Sequence, residues 1–272
     1  MLSQKSYLCI FTRMSLDCCA SHKSLHYSEQ EIALASIRPL PRHVAIIMDG
    51  NRRWARQQGA NKNISPLGGH WAGANVLTQI VEAASDLGVK ILTVYGFSTE
   101  NWGRSTEEVD TLLRILCSYL ENNLQKMIDQ EVRFHVIGDL TPFSDELKWT
   151  IETAKRKTAG GKGIDFIIAL NYGGRDEIRR AMLKIADALA AGRLTAHEIT
   201  EQAISSYLDT APFGDPDLLI RTSGEKRVSN FLLWQLAYAE VYMTDTLWPD
   251  FTPRDLLDAV LDFQKRQRRI GK

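Results

Sequence analysis

From Pro41 onward, short and almost continuously apolar runs alternate with longer segments in which apolar residues recur every three or four positions. The runs His43–Met48, Lys90–Tyr95, Val132–Ile137, Ile164–Leu170 and Leu218–Ile220 predict strands, with a short one at Val241–Met243. Runs such as Val-Ala-Ile-Ile-Met lack polar alternation, as strands covered on both faces do. The intervening patterns are helical. Ser105 and Glu108 have capping-box spacing, and Val109, Leu112, Leu113, Leu116, Leu120 and Leu124 then share one face. Ile178, Ala181, Met182, Ile185 and Leu189 repeat the pattern, with Gly192 as its stop. Thr195 with Glu198 predicts another helix start, and Thr252 before Pro253 the last. Strands alternating with helices predict an α/β fold: one domain over residues 41–272, a mostly parallel six-stranded sheet flanked by helices. Residues 1–40 read as a poorly patterned extension, with Met14 as an alternative start. Ligands of such sheets bind beyond the carboxyl ends of the strands. That directs attention to Asp49, residues 97–104, Gly138–Asp139, residues 171–175 and residues 221–229.

Composition narrows the class. The chain has 272 residues, 44% hydrophobic and 24% charged, enough for a sizeable core. Lys plus Arg and Asp plus Glu are 33 each. A zero net charge argues against a dedicated nucleic-acid binder. The basic residues Lys265, Arg266, Arg268, Arg269 and Lys272 read instead as a helix end that suits its dipole, with a weak pull toward anionic lipid. Four cysteines without a CxxC pair do not predict a disulfide framework or a zinc site, and Cys117 on the amphipathic pattern is expected to be packed. His22, His26, His135 and His197 lack metal-ligand spacing. No apolar run reaches the roughly 18 residues of a spanning helix, and the patch Tyr7–Phe11 is short for a signal sequence. A cytoplasmic location is the expectation.

Three strand ends carry chemistry. After the first strand come Asp49, Gly50, Asn51, Arg52, Arg53 and Trp54: a carboxylate able to hold Mg²⁺, a Gly that admits close approach, and Arg at a helix start that suits phosphate oxygens. After the second, Ser98, Thr99, Glu100, Asn101, Trp102 and Arg104 concentrate donors and acceptors. After the fifth, Arg221 and Arg227 flank Ser223 and Gly224 and can wrap a diphosphate. Taken singly, these are also a capped turn, a loop whose Trp covers the core and a solvated charged loop. Their convergence predicts a diphosphate-handling enzyme. A GxxxxGK[ST] loop is absent, as is a GxGxxG after the first strand.

The segments HVAIIMDGNRRWA (43–55), GFSTENWGR (96–104), NYGGRDEI (171–178) and DLLIRTSGEKRVSNFLLWQLAYAE (217–240) resemble the cis-prenyltransferases, most nearly the bacterial undecaprenyl diphosphate synthase type. The resemblance runs from about residue 42 to the C-terminus. It implies a homodimer of six-stranded subunits that condenses isopentenyl diphosphate with an allylic diphosphate such as farnesyl diphosphate. The product would be a long polyprenyl diphosphate, the undecaprenyl carrier-lipid precursor of cell-wall synthesis, with contact at the inner membrane face through that lipid. It implies that Asp49 binds Mg²⁺ with the substrate diphosphate, and that Gly50, Asn51, Arg52, Arg53, Trp54 and His70 surround the allylic diphosphate. It also implies a second substrate loop of Ser98, Thr99, Glu100, Asn101, Trp102 and Arg104, with Asn101 the proposed proton acceptor. Arg221, Arg227, Val228 and Ser229 would bind isopentenyl diphosphate, and Glu240 would be a second Mg²⁺ ligand reaching across the dimer. Gly96 and Ile164 lie where the family controls chain length, and Arg269-Ile270-Gly271 resembles a C-terminal Arg-x-Gly. The chain departs from the family pattern at Arg52, where Gly is usual. It also departs in the longer segment between Gly59 and Gly69, where Pro66 replaces an Arg and Lys62 is the candidate substitute.

Two other readings are weaker. A dehalogenase-like phosphatase needs a second Asp two residues after the first, and Asn51 stands there. A non-catalytic partner subunit would lack the active-site set, whereas Asp49, Asn101, Arg221, Arg227 and Glu240 are all present.

Overall fold

A computed structural model describes residue 24, residues 26–62 and residues 67–266, the side chains of residues 59–62 excepted. Met14, Pro66, Arg269-Ile270-Gly271 and the Lys62 side chain therefore lie outside the described parts. Six strands form one sheet: β1 (His43–Ile47), β2 (Ile91–Ser98), β3 (Arg133–Ile137), β4 (Asp165–Tyr172), β5 (Leu218–Arg221) and β6 (Glu240–Met243). Their order is β3-β4-β2-β1-β5-β6, and every pairing is parallel. The helices are α1 (Glu29–Ala35), α2 (Asn51–Lys62), α3 (Gly68–Leu87), α4 (Thr106–Asp129), α5 (Asp145–Thr158), α6 (Gly174–Ala190), α7 (Glu201–Tyr207) and α8 (Pro253–Lys265). This is the expected α/β domain.

The apolar runs are continuous because successive side chains enter two different cores. Val44, Ile46, Leu92, Val94, Phe166 and Ile168 pack on the side of α3, α4, α5 and α8. Ala45, Ile47, Ile91, Ile167 and Ala169 pack on the other, with Phe231 and Leu232. On α4, Val109 and Leu120 are buried, yet Leu112, Leu113 and Leu116 stay partly exposed. The middle of that apolar stripe packs only partly on the core and also lines a cavity.

Four local expectations change. First, β2 continues past Tyr95 to Ser98, and its register with β4 shifts around Gly96, a bulge of the kind often found beside functional sites. Second, Thr195 and Glu198 do form a capping box, but on a three-residue 3-10 turn. Ile199 leaves the helical region, and Thr200 caps α7. Third, Ser105 caps α4 by accepting the Glu108 N–H at 3.3 Å, while the Glu108 carboxylate engages cations instead of returning to the cap. Fourth, the poorly patterned extension contains α1, whose box of Ser28 and Glu31 is complete and which packs on α3 and α8. Tyr27 Oη donates to the Pro253 carbonyl at 2.8 Å, tying the entry to α1 onto α8.

His43 generates a prediction. Its Nδ1 donates to the Gly214 carbonyl at 3.0 Å, so its Nε2, 2.7 Å from Thr93 Oγ1, accepts. The ring is neutral, and burial pushes its pKa down to about 4. An unfolded chain protonates this His near 6.5 while the folded one resists, so its contribution is intact above 6.5 and lost as pH falls toward 4. Chemical denaturation at pH 7.5 and 4.5 should show His43→Gln losing about 2–3 kcal/mol less than the parent over that span.

Candidate active site

The carboxyl ends of β1, β2 and β5 open on one side into a cavity of about 660 Å³ between the sheet, α3 and α4. Its upper end is polar, lined by Asp49, Asn51, His70, Arg104, Arg221 and Arg227 among others. Its lower part is apolar, lined by Ala74, Leu77, Leu112, Leu113, Leu116, Tyr119, Ile168 and Leu170. Ile164 is buried in the core and is not part of that wall.

Asp49 follows β1 by two residues. Thr222 Oγ1 holds its backbone from both sides, accepting from Asp49 N–H at 2.8 Å and donating to its carbonyl at 2.6 Å. One carboxylate oxygen accepts from Gly50 N–H at 2.8 Å, and the other from Arg221 Nη2 at 2.7 Å. Gly50 turns the chain into α2 at φ 109°, and a Cβ there would lie 3.0 Å from Leu247 and 3.1 Å from Ser223. Only Gly suits both demands. Arg221, 3% exposed, also donates to the Arg227 carbonyl and to Ser229 Oγ at 2.8 Å. Its Nε and Ser223 Oγ are buried without partners.

Facing these groups, Glu108 on α4 gathers three side chains. Arg104 Nη1 is 2.8 Å away, His70 Nε2 3.5 Å and Arg52 Nη1 3.6 Å. Burial pushes the His70 imidazole down, and the Arg104 charge adds to this. His70 is therefore neutral near pH 7. α3 approaches Asn51 this closely because Gly73 lacks a Cβ, which would fall 2.5 Å from Asn51 Oδ1 and 2.7 Å from Trp248.

The loop after β2 is a 3-10 turn, Thr99–Gly103. Asn101 Oδ1 accepts the Ser98 N–H at 3.0 Å, and Trp102 Nε1 donates to Asn171 Oδ1 at 2.8 Å. Burial works against the Glu100 anion, but hydrogen bonds led by Asn230 outweigh it and hold the carboxyl below its usual range.

The structure thus brings Asp49, Asn51, His70, Ser98, Glu100, Asn101, Arg104, Arg221, Arg227 and Ser229 onto one cavity wall. Other expected residues do not line the cavity. Gly50 shapes the turn, and Arg53 reaches the Ser223 carbonyl and Glu225, both at 2.8 Å. Trp54 donates to Asp250 at 2.7 Å, Thr99 borders Gly173, and Val228 packs on the second core. Arg52 pairs with Glu108, and Trp102 lies on Phe97 and Phe143. Glu240 does not join Asp49 within the chain. In the register it pairs with Leu218 at the start of β5, while Arg221 beside Asp49 lies at that strand's end, and Arg266 holds it at 2.9 Å. Sequence reasoning missed Glu108, Thr222 and Asn230. The four-residue spacing of Arg104 and Glu108 was the available signal for the first.

Among the described residues, His, Cys, Asp and Glu do not cluster in threes, and helices long and apolar enough to cross a membrane are absent. A Mg²⁺ site needs less, since one carboxylate suffices when phosphate oxygens supply the rest. Asp49 fits that requirement: each oxygen carries one hydrogen bond, and the side chain is 33% exposed on the cavity wall.

Known proteins share this architecture. A family model described as "Putative undecaprenyl diphosphate synthase" matches residues 47–271. An isoprenyl transferase of Chlamydia pneumoniae is 46% identical over 249 residues, 92% of this chain and 100% of its own. That of Geobacillus kaustophilus is 46% identical over 233 residues, 86% and 89% of the two chains. The crystal structure of lavandulyl diphosphate synthase from Lavandula x intermedia, in complex with dimethylallyl diphosphate, superposes with a TM-score of 0.82 at 39% identity. It covers 86% of this chain and 99% of that one. A probable undecaprenyl diphosphate synthase from Campylobacter jejuni gives 0.70 at 31% identity, over 87% and 100% of the two chains. With the family model spanning most of the sequence and relatives aligned over most of both chains, this chain belongs to the undecaprenyl diphosphate synthase family, prenyltransferases that condense isoprenoid diphosphates into prenyl chains.

Proposed function

We infer that the protein condenses isopentenyl diphosphate with an allylic diphosphate, farnesyl diphosphate as starter, in cis and repeatedly. The product is a long polyprenyl diphosphate, the precursor of the undecaprenyl lipid that carries cell-wall units. The observation that carries this reading is the cavity's division into a cationic, hydrogen-bonding end and an apolar lane between α3 and α4. Such a shape suits a diphosphate attached to a growing hydrocarbon.

In the reaction, the bond between the allylic C1 and its diphosphate oxygen breaks, C4 of isopentenyl diphosphate bonds to C1, and a proton leaves C2. Charge grows on the departing diphosphate. Arg104, with His70 beside it, and the Arg221–Arg227 loop are the groups suited to receive the two diphosphates. Mg²⁺ would be held by Asp49 with substrate oxygens and would supply Lewis-acid stabilisation of the leaving group. Asn101 serves as a positioning group. Its amide oxygen already accepts the Ser98 N–H, and an amide is a poor base, which leaves a diphosphate oxygen to take the proton.

A homodimer is supported by the outer edge of the sheet, where β6 ends the strand order and Tyr238, Val241 and Leu233 are exposed nearby. Glu240 is then available to a partner's site only if Arg266 releases it. The location proposed is cytoplasmic, with peripheral contact at the inner membrane face through the lipid product.

Two measurements test the reading. Incubation with farnesyl diphosphate, labelled isopentenyl diphosphate and Mg²⁺ should give a polyprenyl ladder on reversed-phase chromatography. Asp49→Ala should reduce incorporation by about a thousandfold or more, the scale expected when charge stabilisation of a leaving group is lost. No ladder from the folded parent protein would overturn the reading, and a single short product would point to a lavandulyl-type reaction. Second, a Cβ at Gly96 would sit 2.6 Å from Ile168 Cγ2, so a larger side chain must push into the lane. Gly96→Leu should shorten the longest product by several isoprene units, read on the same chromatogram.

A further inference from the structure

Glu108 is the most conspicuous group at the site that the reaction itself does not use. It is 7% exposed and does not line the cavity. His70 and Arg104, which do, stand between it and the cavity. A buried carboxylate is tolerated only when paired, and this one is paired three times, with Arg104, His70 and Arg52. Arg52 and Arg104 are charged at any physiological pH. They are the cations on the α2–α4 side of the polar end, and Glu108 is the anion that holds both. The contacts are unequal. Arg104 is hydrogen-bonded at 2.8 Å, whereas Arg52, with a side chain 53% exposed, sits at 3.6 Å. His70 Nε2 is buried and meets Glu108 at 3.5 Å without hydrogen-bond geometry. Two of the three contacts are therefore loose enough to be exchanged.

From this arrangement we propose that Glu108 is a positioning residue that acts as a built-in counter-anion. It holds Arg52, Arg104 and His70 in place, yields the loosely held Arg52 and His70 to the incoming allylic diphosphate while keeping Arg104 oriented, and takes them back when a diphosphate leaves. The proposal rests on the reading of this end as the diphosphate site. Its physical consequence is a deliberate weakening of anion affinity. A diphosphate must displace an existing ion pair, and once bound it lies near a like charge. An enzyme that repeats its condensation gains from this, since every cycle requires a diphosphate to be released from the cations that stabilised its departure.

The sign of one substitution separates this role from simple scaffolding. Removing a scaffold loosens the cations and weakens binding, whereas removing a competing charge strengthens it. The probe is inorganic diphosphate with Mg²⁺, titrated calorimetrically into the full chain. Glu108→Gln keeps the shape and removes the charge. It should bind the probe about five- to tenfold more tightly, the scale of one nearby charge in a partly solvated site. KM for farnesyl diphosphate and kcat should fall together. Glu108→Asp retains the charge and should not tighten binding. If Glu108→Gln does not fold, Arg52→Gly replaces it as the test. Loss of one receiving cation should weaken binding of the probe two- to fivefold, the upper scale of an exposed pair.

Equal or weaker binding by a folded Glu108→Gln, tightening by Glu108→Asp, or unchanged binding by Arg52→Gly would overturn the proposal. If the parent protein itself does not bind the probe, the fault lies in reading this end as a diphosphate site, and the proposal falls with it.

Discussion

The ion pair between Asp49 and Arg221 is the contact on which the polar end depends. The two residues leave the carboxyl ends of neighbouring strands β1 and β5, and β1 is central in the sheet. Burying a guanidinium this completely is expensive unless its donors are used. Arg221 uses its two terminal nitrogens on Asp49, on the Arg227 carbonyl and on Ser229 Oγ, leaving Nε unpaired, so one side chain joins the first strand end to the loop that follows the fifth. That loop runs through left-handed backbone at Ser223, Gly224, Ser229 and Asn230. Non-glycine residues take this conformation at a cost, and the Arg221 fan is one of the contacts that offsets it. Asp49 is thus both a candidate metal ligand and the counter-charge that lets the loop exist.

A second constraint comes from the sheet. With most of both faces covered, the central strands leave a ligand chiefly their carboxyl ends. The cavity extends downward from there because the sheet side of α4 is not packed tight along its middle. Leu112, Leu113 and Leu116 touch the core on one side and stay open on the other to the space between α4 and α3. Held apart, they line a lane that water occupies poorly and a hydrocarbon occupies well. The bulge at Gly96 adds room where the lane meets the polar end. Fold and function are linked here by an omission of packing.

The strands were legible in the sequence because a parallel sheet covered on both sides requires unbroken apolar runs, and the site was legible because such sheets bind at strand ends. Where the reading stopped short, the cause was local ambiguity. The extension of β2 to Ser98 was hidden because Gly96 and Ser98 carry no strand preference, and the pairing with β4 overrides it. Glu108 read as a cap residue because the same spacing serves both a capping box and an inward carboxylate, and only the positions of Arg52 and His70 decide between them. Those positions depend on α2 and α3 packing against each other, which sequence spacing does not encode. Glu240 ends a segment that closely resembles the family, yet within the chain it faces Arg266. A residue whose expected role lies across an interface cannot be judged from its own chain. The helix at Glu29–Ala35 was overlooked because a single apolar face of seven residues gives little periodicity to detect.

Unmet hydrogen bonds concentrate at the polar end of the cavity. Among the described residues, the buried side-chain polar atoms lacking a partner are Asn51 Oδ1, His70 Nε2, Arg221 Nε, Ser223 Oγ and Gln235 Oε1. Each such atom costs on the order of 1–3 kcal/mol, so a fold selected for stability alone would scatter or remove them. Four of the five instead belong to residues at the polar end of the cavity or to the loop that borders it. Arg221 Nε and Ser223 Oγ can donate, as can a protonated His70 Nε2, and a diphosphate presents only acceptors. The Asn51 oxygen, turned toward Gly73, cannot donate and is not explained by an anion. His70 connects this pattern to its charge. Burial and Arg104 favour the neutral imidazole, and a nearby diphosphate would favour the charged form, in which both ring nitrogens donate. The site is therefore under-satisfied in a way that a multiply charged oxygen-rich ligand would correct, and the stability given up at these positions would be recovered on such binding.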